Sequence, residues 1–157
     1  MVRRMVTVGL ASLLWLFLVP AAAWADDLEF EAELDPSQEV QPTAVVSDGE
    51  GEADFELDGS NVRFRLEWED LTTSAFAAHI HCGARGVSGP VGVTLFVGSM
   101  GSDGRVTGSF SGPDTANACG WANLAAVLGA MATGNAYVNV HTPTWPAGEI
   151  RGQIEAD

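Results

Sequence analysis

Apolar and charged residues alternate one by one along several short stretches of the 157-residue chain. In residues 28–34 (LEFEAEL), 52–58 (EADFELD) and 62–68 (VRFRLEW), every second residue is apolar and most of the others are charged. Because successive side chains of a β-strand point to opposite faces, this period predicts strands with one buried face. A short Asp-Gly turn joins the second and third stretches and predicts a hairpin, with Arg63 and Arg65 across from acids of neighbouring strands.

Five further segments have strand character and are separated by turns rich in glycine and proline. They are residues 75–82, 91–97, 104–110, 136–142 and 148–155. Residues 122–134 (ANLAAVLGAMATG) depart from this pattern, because their larger apolar residues recur at helical spacing. About eight short strands and one short helix predict an all-β protein, an antiparallel Greek-key-like β-sandwich of the superoxide-dismutase or immunoglobulin type.

The first 25 residues predict a secretory signal peptide. Arg3 and Arg4 precede an apolar run at residues 6–19, and a small-x-small cleavage site (AWA) ends at Ala25. The run is short for a bilayer span. We expect cleavage after Ala25, one mature domain over residues 26–157, no transmembrane segment after cleavage, and an extracellular or periplasmic protein. An uncleaved N-terminal anchor is the alternative.

Both cysteines of the chain, Cys82 and Cys119, lie in the expected mature region. Export places them in an oxidising compartment, where paired cysteines form disulfides. We therefore expect a bond between Cys82 and Cys119. Closing a loop of this size would stabilise the fold by about 3 to 4 kcal/mol if the bond is unstrained.

The chain is strongly acidic, with 21 Asp and Glu residues against seven basic residues and a net charge of −14. Most of the acids lie between Asp26 and Asp70. An acidic surface repels phosphate backbones and anionic lipid headgroups, so we expect no nucleic-acid partner. We interpret the acids as a solvated face that favours solubility. Loose attraction of cations is the alternative.

The three histidines of the chain lie on the faces of their predicted strands that are opposite the apolar residues. His79 and His81 form an H-x-H pair in segment 75–82, so both rings point to one face, about 7 Å apart along the strand. The opposite face of that segment carries Phe76, Ala78, Ile80 and Cys82. His141 lies on the polar face of segment 136–142. If these strands share a sheet, one polar face collects His79, His81, Asn139, His141, Glu149 and Arg151.

Three neutral imidazoles suit one copper or zinc ion, with a fourth position left open. We therefore predict His79, His81 and His141 as metal ligands, supported by neighbouring side chains. The supporting side chains are Asn139, Glu149 and Arg151. The alternative is that the rings bind loop carbonyls and acids without a metal. No serine-hydrolase elbow or phosphate-binding loop accompanies the histidines, so we assign no catalytic residue.

Three blocks of the mature chain resemble the CHRD domain, the module named after chordin. They are FEAELDPSQEVQPT (residues 30–43), AHIHCGARGVSGPV (78–91) and YVNVHTPTWPAGEIRGQI (137–154). The chain departs from the family pattern at Gln41, where a double proline is usual, and at Asp35, where glycine is common. The resemblance implies a bacterial stand-alone, secreted β-sandwich, and cysteines near Cys82 and Cys119 occur in many such members.

Two functional hypotheses follow. The resemblance implies an extracellular binding or structural module that engages a protein or matrix partner and is not an enzyme. The histidines favour a mononuclear copper or zinc protein instead, and metal-dependent redox activity is the least supported reading. The H-x-H strand also resembles that of copper/zinc superoxide dismutases, but their two-metal centre needs more histidines than the three of this chain.

Overall fold

A computed structural model describes residues 28–157 as nine strands, one α-helix and one 3₁₀ turn at Pro36–Gln38. The expected signal peptide lies outside the described residues. The elements are β1 (Glu29–Leu34), β2 (Glu50–Asp58), β3 (Asn61–Glu69), β4 (Ala77–Cys82), β5 (Val91–Val97), β6 (Gly104–Phe110), α1 (Leu124–Ala132), β7 (Ala136–His141), β8 (Ile150–Gln153) and β9 (Glu155–Ala156). Each predicted strand segment contains an observed strand, and the predicted helix is α1.

The strands form two antiparallel sheets. Sheet I has the order β6-β3-β2-β1-β9, and sheet II has the order β5-β4-β7-β8. The predicted all-β sandwich architecture is therefore confirmed. Chain crossovers place β6 beside β3 and β7 beside β4, and the second of these neighbours brings the segments with the histidines together.

The alternation of β1, β2 and β3 separates a core face from a charged face as predicted. In β1 the buried and exposed residues alternate strictly. On the exposed face, Arg63 pairs with Glu56 at 2.8 Å and Arg65 pairs with Asp54 at 3.1 Å, in the predicted hairpin register. Water screens these exposed ion pairs and they contribute little, so burial of the opposite face carries the stability.

The core lies between the inner faces of the two sheets. It includes Phe30, Leu34, Phe55, Leu66, Trp68, Ile80, Val93, Val138, Val140, Ile150 and Ile154. Helix α1 begins after Asn123, whose side chain accepts a hydrogen bond from Ala126 N. The helix buries Val127 and Met131 against the core. No helix within residues 28–157 is long and apolar enough to cross a membrane.

Segment 148–155 is not the single strand that its sequence predicts. The chain passes from sheet II to sheet I at Ile154, so β8 pairs with β7 whereas β9 pairs with β1. Ile154 is fully buried and its N–H donates to Ala136 O. The alternation of apolar residues continues through this crossing, which is why the sequence pattern conceals it.

The prediction that Phe76 shares a face with Ala78 and Ile80 is wrong, because those two residues are in the core and Phe76 is not. Strand β4 begins at Ala77, and Phe76 precedes it with 38% of its surface exposed. Its N–H donates to His141 O, and its ring centre lies 6.1 Å from that of His141. The period of two holds only inside the paired strand, so it does not apply to Phe76.

The expected disulfide between Cys82 and Cys119 is present. It joins the end of β4 to the connection between β6 and α1, with Cα atoms 5.7 Å apart. Both cysteines are half-buried. The bond therefore fixes a surface connection to the strand that carries two of the histidines.

Candidate metal centre

Register between β4 and β7 brings the three histidines together. His79 lies opposite Asn139 and His81 lies opposite Tyr137, while His141 pairs with Ala77. Paired residues of antiparallel strands share a face, so His141 is a diagonal neighbour of His79. The ring centres of His79 and His141 are 4.9 Å apart, and that of His81 lies 5.7 Å from both.

The nitrogens of these rings converge on one small volume. One nitrogen from each histidine lies within 4.8 Å of the other two. His79 Nδ1 and His141 Nε2 are 3.0 Å apart, close to the spacing of about 3.3 Å between two nitrogens bound tetrahedrally to one zinc ion. One nitrogen of His81 is the third member of this group.

The face that carries the histidines is covered rather than exposed. His81 is 8% exposed and His141 is 6% exposed, while His79 is half-buried. Every residue of β7 and β8 is buried. Three connections cover this face, and each is hydrogen-bonded to a side chain of it: residues 35–49 through Glu39, 83–90 through Gly89 and 142–149 through Pro146.

Backbone carbonyls set the tautomers of two rings. His81 Nδ1 lies 2.9 Å from Gly89 O, and His141 Nδ1 lies 3.1 Å from Pro146 O. A carbonyl oxygen only accepts hydrogen bonds, so both Nδ1 atoms carry the proton. The Nε2 atoms therefore keep their lone pairs, as metal ligation requires.

The Nε2 atoms of His81 and His141 differ in their hydrogen bonds. His141 Nε2 accepts the hydrogen bond of His79 Nδ1, whereas His81 Nε2 is buried without a hydrogen-bond partner among the described residues. A buried acceptor without a partner is costly in a native structure. An ion bound between the three rings would satisfy it.

Burial keeps the three rings neutral at physiological pH. It lowers the pKa of His81 to about 4, and it lowers the pKa of His141 to about 4 with a further contribution from the neighbouring imidazoles. Burial also lowers the pKa of His79. Neutral imidazole is the form that binds copper and zinc, so protons compete weakly for this site.

The three predicted supporting side chains lie nearby but bond to other groups. Asn139 Nδ2 donates to a carboxylate oxygen of Glu39 and, at 3.4 Å, to Ile150 O. Arg151 stacks over the ring of Tyr137. Within residues 28–157, no hydrogen bond joins Asn139, Glu149 or Arg151 to a histidine ring. The observed partners of the rings are backbone carbonyls instead.

Glu149 anchors the loop that supports His141. Its fully buried carboxylate accepts four hydrogen bonds, from Ser47 Oγ, Thr72 N, Thr72 Oγ1 and Thr142 Oγ1. Glu149 thereby ties the connection after β7 to two other connections. Because Pro146 lies in this connection, Glu149 acts on His141 through the loop and not through a direct bond.

Three groups of the site escaped the sequence reasoning. Gly89 O and Pro146 O orient histidine rings, and no side-chain pattern identifies a backbone carbonyl. Tyr137 stacks on His81 with ring centres 5.0 Å apart. The sequence does indicate that Tyr137 lies near the site, because it is two residues before Asn139 and so shares the polar face of β7.

The donor set fits copper or zinc. Three imidazoles form the one cluster of potential metal ligands found in residues 28–157, and Cys82 is excluded as a thiolate by its disulfide. Such a site leaves a fourth position for water or another ligand. The arrangement can therefore hold one ion and bind a small ligand to it.

Comparison with known proteins places the chain in a family. No curated protein and no solved structure matches it significantly. The sequence model of the CHRD domain matches residues 30–154, which include strands β2 to β8 and all three histidines. On this match over most of its length, the chain belongs to the CHRD domain family.

Proposed function

We propose that this CHRD domain is an exported metal-binding module that holds a single copper or zinc ion on His79, His81 and His141. The observation that carries the proposal is the buried, unpartnered Nε2 of His81 beside the pair of His79 and His141 nitrogens at 3.0 Å. Three neutral imidazoles, with one nitrogen of each within 4.8 Å of the other two, are a ligand set that both ions accept.

Copper(II) is the ion expected to bind more tightly. With the same nitrogen ligands, affinity for divalent ions rises along the first transition row to Cu²⁺ and falls at Zn²⁺. No carboxylate of the described residues joins the cluster. Hard, oxygen-seeking ions such as Ca²⁺ and Mg²⁺ therefore lack suitable ligands at this centre.

The use of the loops supports a metal-binding role over a partner-binding role. Here the loop carbonyls of Ala84, Gly89 and Pro146 accept hydrogen bonds from Arg151, His81 and His141, respectively. We propose binding rather than catalysis, since three imidazoles alone do not define a reaction.

Export is part of the proposal. It rests on the leader-like first 25 residues and on the Cys82–Cys119 disulfide, which persists in oxidising compartments. In such a compartment a histidine site is free of competition from thiols. N-terminal sequencing of the protein from a culture with its native leader tests this part, with Asp26 expected as the first residue.

Titration of metal-free protein with Cu²⁺ and Zn²⁺ tests the metal site. We expect one ion per chain, with uptake lost in His81→Ala and His141→Ala. Glu52→Gln is the matched control, because Glu52 lines an acidic groove on sheet I with Glu33, Glu50 and Glu67. Uptake that persists in the histidine variants and falls in Glu52→Gln would assign the ion to the acidic surface and reject the proposal.

A further inference from the structure

We infer that Tyr137 is a positioning residue for the metal centre, which fixes His81 in its ligating orientation through an aromatic stack of His81, Tyr137 and Arg151. This inference rests on the proposed metal-binding function. It adds Tyr137 to the three ligands, as a residue that orients one of them.

The first contact is between the rings of Tyr137 and His81. The two residues are directly paired between β7 and β4. Their ring centres are 5.0 Å apart and their planes differ by 11°. Parallel aromatic rings at this distance stack favourably, and the buried Tyr137 ring therefore restricts the plane in which the His81 imidazole can lie.

The second contact runs through Gly89. Tyr137 Oη accepts a hydrogen bond from Gly89 N at 3.1 Å and donates to Gly89 O at 3.3 Å. The same carbonyl oxygen accepts the hydrogen bond of His81 Nδ1 at 2.9 Å. Tyr137 thus holds both the plane of the imidazole and the acceptor for its Nδ1, and together these fix the direction of Nε2.

Arg151 holds Tyr137 from the other neighbouring strand. Strand β7 lies between β4 and β8, so His81 and Arg151 approach Tyr137 from opposite sides. The guanidinium carbon of Arg151 lies 3.6 Å from the centre of the Tyr137 ring, and Arg151 Nη2 donates to Ala84 O at 3.0 Å. A desolvated cation over an aromatic face is strongly attracted to it.

The burial of Arg151 accounts for an aromatic ring at position 137. Arg151 is 2% exposed, and the ion pairs of the described chain do not include it. The ring of Tyr137, in direct contact, and the more distant carboxylate of Glu39 are therefore the electrostatic partners of the buried cation. A residue without an aromatic face would release both Arg151 and His81, which is why loss of the ring is expected to affect metal binding.

Tyr137 is the single tyrosine of the chain, and this permits a direct test on the unaltered fold. Protein labelled with 3-fluorotyrosine gives one ¹⁹F resonance. One equivalent of Cu²⁺ is expected to broaden this resonance beyond detection, whereas one equivalent of Zn²⁺ shifts it without broadening. A resonance that stays sharp while histidine-dependent Cu²⁺ is bound would overturn the inference.

Variants test the positioning role. Tyr137→Leu removes the ring, and we expect a rise of about 10-fold or more in the Kd for Zn²⁺, together with a changed nitrogen hyperfine pattern in the Cu²⁺ EPR spectrum. Tyr137→Phe keeps the stack and loses the hydroxyl, so its Kd should rise less. Phe96→Leu is the matched control, because Phe96 pairs with the core residue Ala78 and stacks on Trp68 with ring centres 5.4 Å apart, on the face of sheet II opposite the histidines.

The outcomes separate this inference from the proposed function. Wild-type protein that binds neither ion through its histidines removes the proposed function itself. Wild-type binding with an unchanged Kd and EPR spectrum in folded Tyr137→Leu overturns the positioning role alone. If Tyr137→Leu does not fold, the ¹⁹F measurement on the unaltered fold decides, and a resonance that stays sharp while histidine-dependent Cu²⁺ is bound overturns the inference.

Discussion

His79 Nδ1 lies 3.0 Å from His141 Nε2, although the two residues are 62 positions apart in the sequence. The hydrogen bond between them needs one proton, which His79 supplies because Pro146 O already holds the Nδ1 proton of His141. A metal ion between the rings would replace that proton. Without a metal, this hydrogen bond holds the two rings together, and an ion bound to both nitrogens would take its place.

Metal-free protein should lose stability as the pH falls from about 6.5 to about 4. Burial holds the pKa of His81 and His141 at about 4 in the fold, whereas histidine in the unfolded chain titrates near pH 6.5. Between these values the unfolded state binds more protons, so the stability is full above pH 6.5 and falls by up to about 1.4 kcal/mol per pH unit for each histidine.

Urea unfolding in the presence of a chelator, at intervals between pH 5 and 7.5, measures this dependence. The double variant His81→Gln and His141→Gln removes both titrating groups and serves as the control. Its unfolding free energy should vary less with pH over this range. An equal slope in both proteins would show that the two rings are not buried as neutral groups.

Replacement of Gly89 by alanine should strongly destabilise the fold and the metal centre. A Cβ atom at Gly89 would overlap with the backbone carbonyl of Cys82, so the loop that supplies the acceptor for His81 must move. We expect a loss of more than about 2 kcal/mol in unfolding free energy. Gly129→Ala is the control, because Gly129 lies in α1 with open space around it.

The glycine control has an expected effect of opposite sign. Alanine in the interior of a helix is favoured over glycine by about 0.5 to 1 kcal/mol, so Gly129→Ala should raise the melting temperature. Thermal unfolding followed by circular dichroism compares the two variants. A Gly89→Ala protein as stable as the wild type would contradict the close approach of Gly89 to Cys82.

Substitution of Glu149 by glutamine should cost about 2 to 3 kcal/mol of unfolding free energy. The amide group would place donors against the donors of Ser47, Thr72 and Thr142, and buried donors would lose their acceptor. Chemical denaturation measures the loss. Glu52→Gln on the open acidic groove should change stability by less than about 0.5 kcal/mol, and equal effects would reject the anchoring role of Glu149.

Removal of the disulfide by Cys82→Ser with Cys119→Ser should cost about 4 kcal/mol, because the bond closes a loop with a sequence separation of 37. The zinc Kd of the folded double variant should stay within a few-fold of the wild-type value, since Gly89 and Tyr137 still hold His81. Isothermal titration calorimetry checks this. A loss of zinc binding in a folded variant would show that the bond itself shapes the centre.

Local alternation in the sequence determined the strands, because side chains of a strand point to alternate faces whatever the partner strand is. The same alternation placed His79 and His81 on one face and predicted the hairpin of β2 and β3, with Arg65 across from an acid of a neighbouring strand. The structure shows that this acid is Asp54. It failed at Phe76, which precedes its strand, so the period does not report the direction of that side chain. At Ile154 the apolar alternation holds and the side chain is buried, so the pattern conceals the passage from one sheet to the other.

Tertiary structure alone decided which strands are neighbours and what covers them. The placement of β7 beside β4 brings His141 to His79, and this pairing depends on chain crossovers that leave no local sequence pattern. The same holds for the carbonyls of Gly89 and Pro146 and for the stack of Tyr137 between His81 and Arg151. The sequence by itself determined the chemistry that the chain carries, whereas long-range packing decided that three imidazoles are buried together, since contacts distant in sequence form only when the sheets close.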